Sequence, residues 1–161
     1  MNKKIKILLI NGPNLNLLGT REPKIYGKKT LPQLVQKIKK IAKNLNVKIY
    51  DFQSNAEHRI VEKIHESKTL KIKFILINPG AFAHTSLSIR DALLAVGLPF
   101  FEIHISNIFS REEFRSHSWI SDIANGIISG FGTDGYIWAL NSAVSYVLKK
   151  QNFKKKSNSN S

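Results

Sequence analysis

Two pairs of side chains in this sequence have the types and spacing for moving protons. Arg21 and Tyr26 lie five residues apart in a polar segment, NGPNLNLLGTREPKIYGKKT, at residues 11–30. Glu102 and His104 lie two residues apart in EIHISN, which places both side chains on the same side of a strand. A tyrosine acts as a base only as the phenolate, which nearby guanidinium groups stabilise. A histidine oriented by a carboxylate can act as an acid, so the sequence indicates acid–base chemistry.

Each of these residues also has an ordinary structural explanation. A loop tyrosine is commonly a packing or surface ring, and a single arginine, such as Arg111 or Arg115, is commonly a surface charge. A strand histidine is as often a core residue with satisfied hydrogen bonds. Asn78 and His84 could bind substrate hydroxyls or could cap a loop. Spacing alone leaves these alternatives open.

Several other kinds of site lack the residues they require. The chain has no Cys, which excludes disulfides and a thiolate nucleophile, and its five His show no metal-ligand spacing. The segment GFGTDG at residues 130–135 has the form GxGxxG, but no acidic residue follows Asp134, so we interpret its glycines as a tight turn. GxxxxGK[ST] and GxSxG are missing. We therefore expect neither a metal nor any other cofactor.

Five apolar segments predict the strands that would position these groups. They are residues 4–10, 47–52, 72–78, 100–105 and 126–131. Three of them are near-continuous apolar runs, typical of strands buried on both faces. Strands that alternate with helices in one domain predict an α/β protein, a flavodoxin-like three-layer fold with a five-stranded parallel sheet in the order 2-1-3-4-5. The candidate residues follow the carboxyl ends of the strands and should meet at one edge of the sheet.

Capping signals separate the strands and predict where helices begin. They are Thr30 with Gln33 before a helix at residues 31–46, Ser54 with Glu57 before a second, Gly97 at the end of a third that runs from about residue 86 to residue 96, and Ser110 with Glu113 before a short extra one. Asp134 begins the last helix. Residues 1–148 are predicted to form a single catalytic domain, followed by a disordered Lys/Ser/Asn-rich tail at residues 149–161.

The charge of the chain is compatible with two classes of partner. The formal net charge is +14, and five of the lysines lie in the tail. Such a charge suits nucleic acid or a small anionic substrate, but the sequence lacks aromatic residues interleaved with Lys and Arg, so we expect no nucleic-acid partner. The first apolar run, residues 7–10, is too short for a signal or a membrane span. We expect a cytoplasmic protein with no membrane partner.

Five motifs in order resemble the type II 3-dehydroquinate dehydratases. These enzymes of the shikimate pathway remove water from 3-dehydroquinate to give 3-dehydroshikimate. The resemblance runs from about residue 5 to residue 147, and its motifs are NGPNLNLLGTREPKIYG, QSNAEHRIVEKIHE, INPGAFAHTSLSIRDAL, FFEIHISNIFSREEFRSHSWIS and GFGTDGYIWAL. It implies a metal-free elimination through an enolate.

The resemblance also implies a role for each catalytic residue. Tyr26 would remove the proton at substrate C2, with Arg21 and Arg111 stabilising its phenolate. His104 would protonate the departing C1 hydroxyl. Two further residues would assist: Asn14 would hold a water against the enolate oxygen, and Glu102 would support His104.

Substrate binding and assembly follow from the same resemblance. The implied substrate-binding residues are Asn78, His84, Ile105, Ser106, Arg111 and Arg115, together with Asp91 from a neighbouring subunit. The family assembles as a dodecamer of trimers, and residues 11–30 would form a mobile lid.

Two alternative functions remain. One is a nucleotide or flavin binder on the same sheet, which would carry its cofactor, and the other is a nucleic-acid binder that uses the basic surface.

Overall fold

Five parallel strands form the sheet at the centre of the protein. The structure is a computed structural model, and it describes residues 4–158. The order of the strands is β2-β1-β3-β4-β5, which confirms the predicted topology. The strands are β1 (Ile5–Asn11), β2 (Val47–Gln53), β3 (Phe74–Asn78), β4 (Phe100–His104) and β5 (Gly126–Ser129). Every residue of β3 and β4 is buried, as the apolar runs predicted.

Helices cover both faces of this sheet and produce three layers. They are α1 (Pro23–Tyr26), α2 (Leu31–Asn44), α3 (Glu57–Thr69), α4 (Leu87–Val96) and α5 (Asp134–Asn158). Alternate residues of β1 point to opposite faces: Ile7 and Leu9 belong to the core under α2 and α5, whereas Leu8 and Ile10 belong to the core under α3 and α4. The sheet is therefore the shared wall of two apolar cores.

Two of the predicted helix caps, Thr30 and Gly97, are confirmed, and two, Ser54 and Ser110, are wrong; the Ser110 hydroxyl instead donates to the Asn107 carbonyl. Thr30 and Gln33 form both hydrogen bonds of a capping box before α2. Gly97 ends α4 at φ 62° as predicted, and the Ser86 hydroxyl, which was not predicted as a cap, accepts from the Ile89 N–H at the start of the helix. Ser54 does not cap α3, because its hydroxyl accepts a hydrogen bond from the N–H of Ala56 and closes a turn before the helix begins.

Other boundaries differ from the sequence prediction for local reasons. β3 begins two residues late because the chain first closes the end of α3, with Lys71 at φ 60° and the Ile72 N–H bonded to the Ser67 carbonyl. β5 ends at Ser129, since Gly130 turns at φ 92°. The extra helix predicted after β4 consists of two 3-10 helices, Ile108–Ser110 and Glu113–Arg115.

The end of the chain differs most from the prediction. We expected disorder from residue 149, whereas α5 continues through Asn158 with exposed side chains at residues 148–157. Residues added to a packed helix do not bear the cost of nucleation, and Lys and Gln are good helix formers. Residues 159–161 of the predicted tail lie outside the described part of the chain. No helix among residues 4–158 is long and apolar enough to cross a membrane.

Candidate active site

A cavity of about 280 Å³ lies where β1, β3 and β4 end. Ten of the residues singled out in the sequence line it: Asn14, Arg21, Tyr26, Asn78, His84, His104, Ile105, Ser106, Arg111 and Arg115. Their common position follows from the parallel sheet, in which the carboxyl ends of all strands meet at one edge.

The loops after β1 and β3 approach each other closely at Gly12. A Cβ atom there would lie 2.2 Å from the carbonyl oxygen of Pro79, so this contact requires glycine. Asn14 follows at φ 67°, and its N–H donates to the side-chain oxygen of Asn55 at 3.0 Å. The tight approach brings Asn14 to the wall of the cavity.

Tyr26 lies between two arginines. Nη1 of Arg111 donates to the Tyr26 hydroxyl oxygen at 2.7 Å and contacts the Ser106 hydroxyl at 3.4 Å. The guanidinium carbons of Arg21 and Arg111 each lie 5.6 Å from the centre of the Tyr26 ring. Two guanidinium groups therefore lie against one phenol.

A short helix that the sequence did not predict presents Tyr26. The helix α1 spans only four residues, begins with Pro23 at its first position and ends at Gly27, which has φ 81°. Proline is pre-organised for a first helical position, and glycine adopts positive φ without strain. Four residues are too few to show helical periodicity, which is why this segment was interpreted as a loop.

His104 and Glu102 form a buried pair on β4. The exposed fractions of their side chains are 6% and 0%, and the His104 Nε2 lies 2.6 Å from Glu102 Oε1. This contact leaves Nδ1 of His104 to meet a ligand. Burial alone raises the pKa of the Glu102 carboxyl, but the contacts with His104, Ser121 and Ser118 outweigh burial and hold the pKa below its usual value. Glu102 does not line the cavity and supports His104 from behind.

Asn78 is fixed by a buried tyrosine that sequence reasoning missed. Its amide nitrogen donates to the Tyr136 hydroxyl at 2.7 Å, and that hydroxyl donates to the Asn11 side-chain oxygen at 2.7 Å. Burial raises the pKa of Tyr136, although the contact with Asn78 opposes this shift. Tyr136 belongs to the motif GFGTDGYIWAL, but its partners Asn11 and Asn78 are distant in sequence, so no local pattern indicates the contact.

His84, Arg111 and Arg115 complete the lining of the cavity. Nδ1 of His84 donates to the backbone carbonyl of His117 at 2.7 Å, which leaves Nε2 for the cavity. Arg115 donates to Glu112 at 2.8 Å, and Arg111 lies 3.7 Å from the same carboxylate. Arginines in such a wall favour an anionic ligand.

Two of the predicted site residues do not line the cavity: Glu102, which contacts His104 from outside the lining, and Asp91. Asp91 lies exposed on α4. Its predicted contribution to a neighbouring subunit's site remains a prediction. The glycines of GFGTDG do form a turn, with Gly130 at φ 92° and Gly132 at φ 59°, and their N–H groups donate to the backbone carbonyls of His104 and Ile105.

Sequence comparisons agree with this geometry. The family model for dehydroquinase class II matches residues 5–144. A 3-dehydroquinate dehydratase of Buchnera aphidicola subsp. Cinara cedri (strain Cc) is 73% identical over 151 residues, which cover 94% of this chain and 99% of the relative. A 3-dehydroquinate dehydratase of Proteus mirabilis (strain HI4320) is 57% identical over 144 residues, covering 89% of this chain and 97% of the relative.

The fold agrees with a solved structure as well. The crystal structure of the type II dehydroquinase from Butyrivibrio crossotus DSM 2876 matches with a TM-score of 0.85 and 45% sequence identity, covering 87% of this chain and 97% of that one. Both the predicted fold and the predicted family are confirmed by these similarities. With its five-stranded parallel sheet and its matched motifs, this chain belongs to the class II dehydroquinase family.

Proposed function

We propose that this protein removes water from 3-dehydroquinate to give 3-dehydroshikimate, a step of the shikimate pathway. The observation that carries the proposal is a single cavity with a phenol bonded to a guanidinium on one wall and a carboxylate-bound imidazole on another. An elimination needs a base and an acid at different atoms of the substrate.

Tyr26 is the base in this mechanism. As a phenolate it removes the C2 proton, which is acidic because it lies α to the ketone. The C2–H bond breaks, its electron pair forms the enolate, and Tyr26 becomes a neutral phenol. The contact of Arg111 with the phenol oxygen and the nearby Arg21 support this role, because both cations favour the phenolate before proton transfer. Asn14 holds a water that donates to the enolate oxygen.

His104 is the acid. The enolate collapses, C1 and C2 become doubly bonded, and the C1–O bond breaks as Nδ1 of His104 donates its proton to the departing hydroxyl, which leaves as water. Glu102 accepts from Nε2 throughout and stabilises the imidazolium before that transfer. The proton on Tyr26 returns to solvent, and His104 takes one up, so the enzyme is restored.

The remaining residues of the cavity bind the substrate. Arg115 and the backbone and hydroxyl at Ser106 suit its carboxylate, while Asn78 and His84 suit its hydroxyls. The fixed tautomer of His84 supports this role, since a lone pair on Nε2 can accept from a hydroxyl.

We also propose that the protein is cytoplasmic and assembles as a dodecamer of trimers in which Asp91 completes a neighbouring site. Large exposed apolar side chains support the assembly: Phe109, Phe114, Phe131 and Trp138 are each at least 49% exposed in the single chain. Analytical ultracentrifugation of the purified protein gives the mass of the assembly and tests the dodecamer. Mixing inactive Asp91→Ala and Tyr26→Phe chains, with subunit exchange, should restore activity only if each site draws on two chains.

The activity is tested by the rise in ultraviolet absorbance of the enone when purified protein meets 3-dehydroquinate. Enzyme pretreated with borohydride in the presence of substrate runs alongside. A rise that survives this treatment is expected, because the mechanism forms no Schiff base with a lysine. No rise with folded protein and fresh substrate would refute the proposed function.

A further inference from the structure

We infer that Ser118 and Ser121 are positioning residues that hold the Glu102 carboxylate ionised and aimed at His104. The inference rests on the proposed function, because it concerns the acid of that reaction. Neither serine lines the cavity, so neither touches the substrate. Their effect would pass through Glu102 to His104.

The first support is the way in which the carboxylate is surrounded. Glu102 has an exposed fraction of 0%, so water does not solvate it. Its Oε1 accepts from Ser118 at 2.7 Å beside the His104 contact at 2.6 Å, and its Oε2 accepts from Ser121. An ionised carboxylate only accepts hydrogen bonds, and two hydroxyls replace the water that burial removes.

The direction of one of these bonds is fixed by a second contact. The Ser118 hydroxyl oxygen accepts from the N–H of Ile120 at 3.3 Å. With a backbone donor on its oxygen, the hydroxyl proton of Ser118 is directed at Glu102. A donor aimed at Oε1 favours the charged carboxylate over the neutral acid.

The segment that carries the serines is anchored at three points. The Trp119 N–H donates to the Ala83 carbonyl at 2.8 Å, and Arg90 donates to the Trp119 carbonyl at 2.6 Å and to Asp122 Oδ2 at 2.9 Å. These bonds hold residues 118–122 against the 3-10 helix Gly80–His84, which follows β3, and against the helix α4. The serine hydroxyls are thus fixed before any ligand binds.

The effect of the two serines on Glu102 can be separated from the effect of nearby charges. His104, on the same strand, is the titratable side chain that contacts Glu102, and the contacts from the neighbouring segment come from uncharged serines. On that segment, Asp122 is exposed and paired with Arg90, and His117 is exposed. Replacing a serine therefore removes a donor without removing a charge.

Loss of one hydrogen-bond donor should make Glu102 easier to protonate and should hold its carboxylate less firmly against His104. In Ser121→Ala, Glu102 takes up its proton at higher pH, because burial then has one fewer opposing contact. His104 loses part of the anion that stabilises its protonated form. We expect kcat to fall about tenfold, the scale of one hydrogen bond to a charged group, while KM changes by less than about twofold.

The experiment combines a titration with kinetics in Ser121→Ala, Ser118→Ala and Ser121→Thr. The Glu102 carboxyl carbon is followed by carbon NMR of labelled glutamate, assigned with Glu102→Gln. Ser121 is partly exposed, so alanine there should leave the fold intact even if Ser118→Ala does not. Ser67→Ala is the matched control, because the Ser67 hydroxyl is buried and has no hydrogen-bond partner.

The expected result is a Glu102 titration at higher pH and a lower kcat in both alanine variants, near-normal values in Ser121→Thr, and no change in Ser67→Ala. An unchanged titration in Ser121→Ala overturns the inference, including when kcat falls, since the serine would then be merely structural. The titration needs no substrate. If wild-type protein forms no enone, the proposed function fails, while the NMR result still decides whether the serines hold the charge.

Discussion

In the proposed mechanism Tyr26 is the base, and Arg111 is the residue that contacts its oxygen. A free phenol is almost fully protonated at neutral pH, and here its oxygen lies 2.7 Å from a guanidinium nitrogen with a second arginine beside the ring. The two residues are 85 positions apart in sequence. Only the fold brings them together, so neither residue alone reveals the pair.

Replacing Tyr26 with Phe tests the role of this hydroxyl. We expect kcat to fall by about 10²–10⁴-fold, the usual contribution of a positioned base, with substrate affinity nearly unchanged, because only the proton acceptor is removed. Tyr50→Phe, on the outer strand β2 and outside the cavity, is the matched control. Kinetics and calorimetric binding measure the two effects, and full activity in Tyr26→Phe would remove this residue as the base.

At the scale of secondary structure, the site depends on one helix that ties two strands together. Tyr136, in the first turns of α5, bonds both Asn11 at the end of β1 and Asn78 at the end of β3. All three side chains are at most 3% exposed. This contact fixes the edge of the sheet on which Asn78 and Asn14 are presented.

The variant Tyr136→Phe should lose stability because it leaves two buried amides without this partner. We expect the free energy of unfolding to fall by about 1–3 kcal/mol, measured by urea unfolding at fixed protein concentration. Tyr146→Phe, a partly buried tyrosine on the same helix, should change it less.

The contribution of Tyr136 to stability should depend on pH, because burial raises its pKa in the folded chain. The neutral phenol stabilises the fold fully below pH about 10, and this contribution is lost as the pH rises above it. The difference in unfolding free energy between wild type and Tyr136→Phe should therefore become smaller above that pH. A difference that grows above this pH would contradict the assignment.

The sequence predicted the sheet well because three of its five strands are near-continuous apolar runs. Once the strands were assigned, the rule on carboxyl ends placed Asn78 and His104 at one edge without any side-chain detail. Thr30 is a cap because both hydrogen bonds of its box with Gln33 form, with no nearer backbone donor to its hydroxyl among the described residues. The local pattern contained all the information that those features require.

Features that depend on distant partners were not predictable. Ser54 matched a capping pattern, but a nearer backbone donor took its hydroxyl. Ser118 and Ser121 act on a carboxylate 16 and 19 residues earlier, across a loop that shows no periodicity. The helical end of α5 continues from packing upstream, which composition does not report.

For the molecule as a whole, the buried Glu102 links the site to stability in acid. Its pKa is lower in the folded chain than its usual value near 4.3. The ionised group therefore stabilises the fold fully above that pH, and this contribution is lost as the pH falls through the lowered pKa. Acid should loosen the same contacts that hold His104.

The variant Glu102→Gln tests that link. The difference in unfolding free energy between wild type and variant should be largest at neutral pH and should shrink as the pH falls below about 4.3, because only the wild type loses a charge there. Urea unfolding at a series of pH values measures it. A difference that grows as the pH falls would mean that Glu102 is held neutral in the folded protein, and a difference that does not depend on pH would mean that its pKa is the same in the folded and unfolded chain.

The separate roles proposed for Tyr26 as the base and His104 as the acid are tested most directly by measuring hydrogen exchange at substrate C2 in heavy water. His104→Ala keeps Tyr26 and its arginines, so it should form the enolate and exchange the C2 proton with solvent while forming almost no enone. Tyr26→Phe should do neither. Exchange in Tyr26→Phe, or its absence in a folded, substrate-binding His104→Ala, would contradict an enolate formed by Tyr26 before His104 acts.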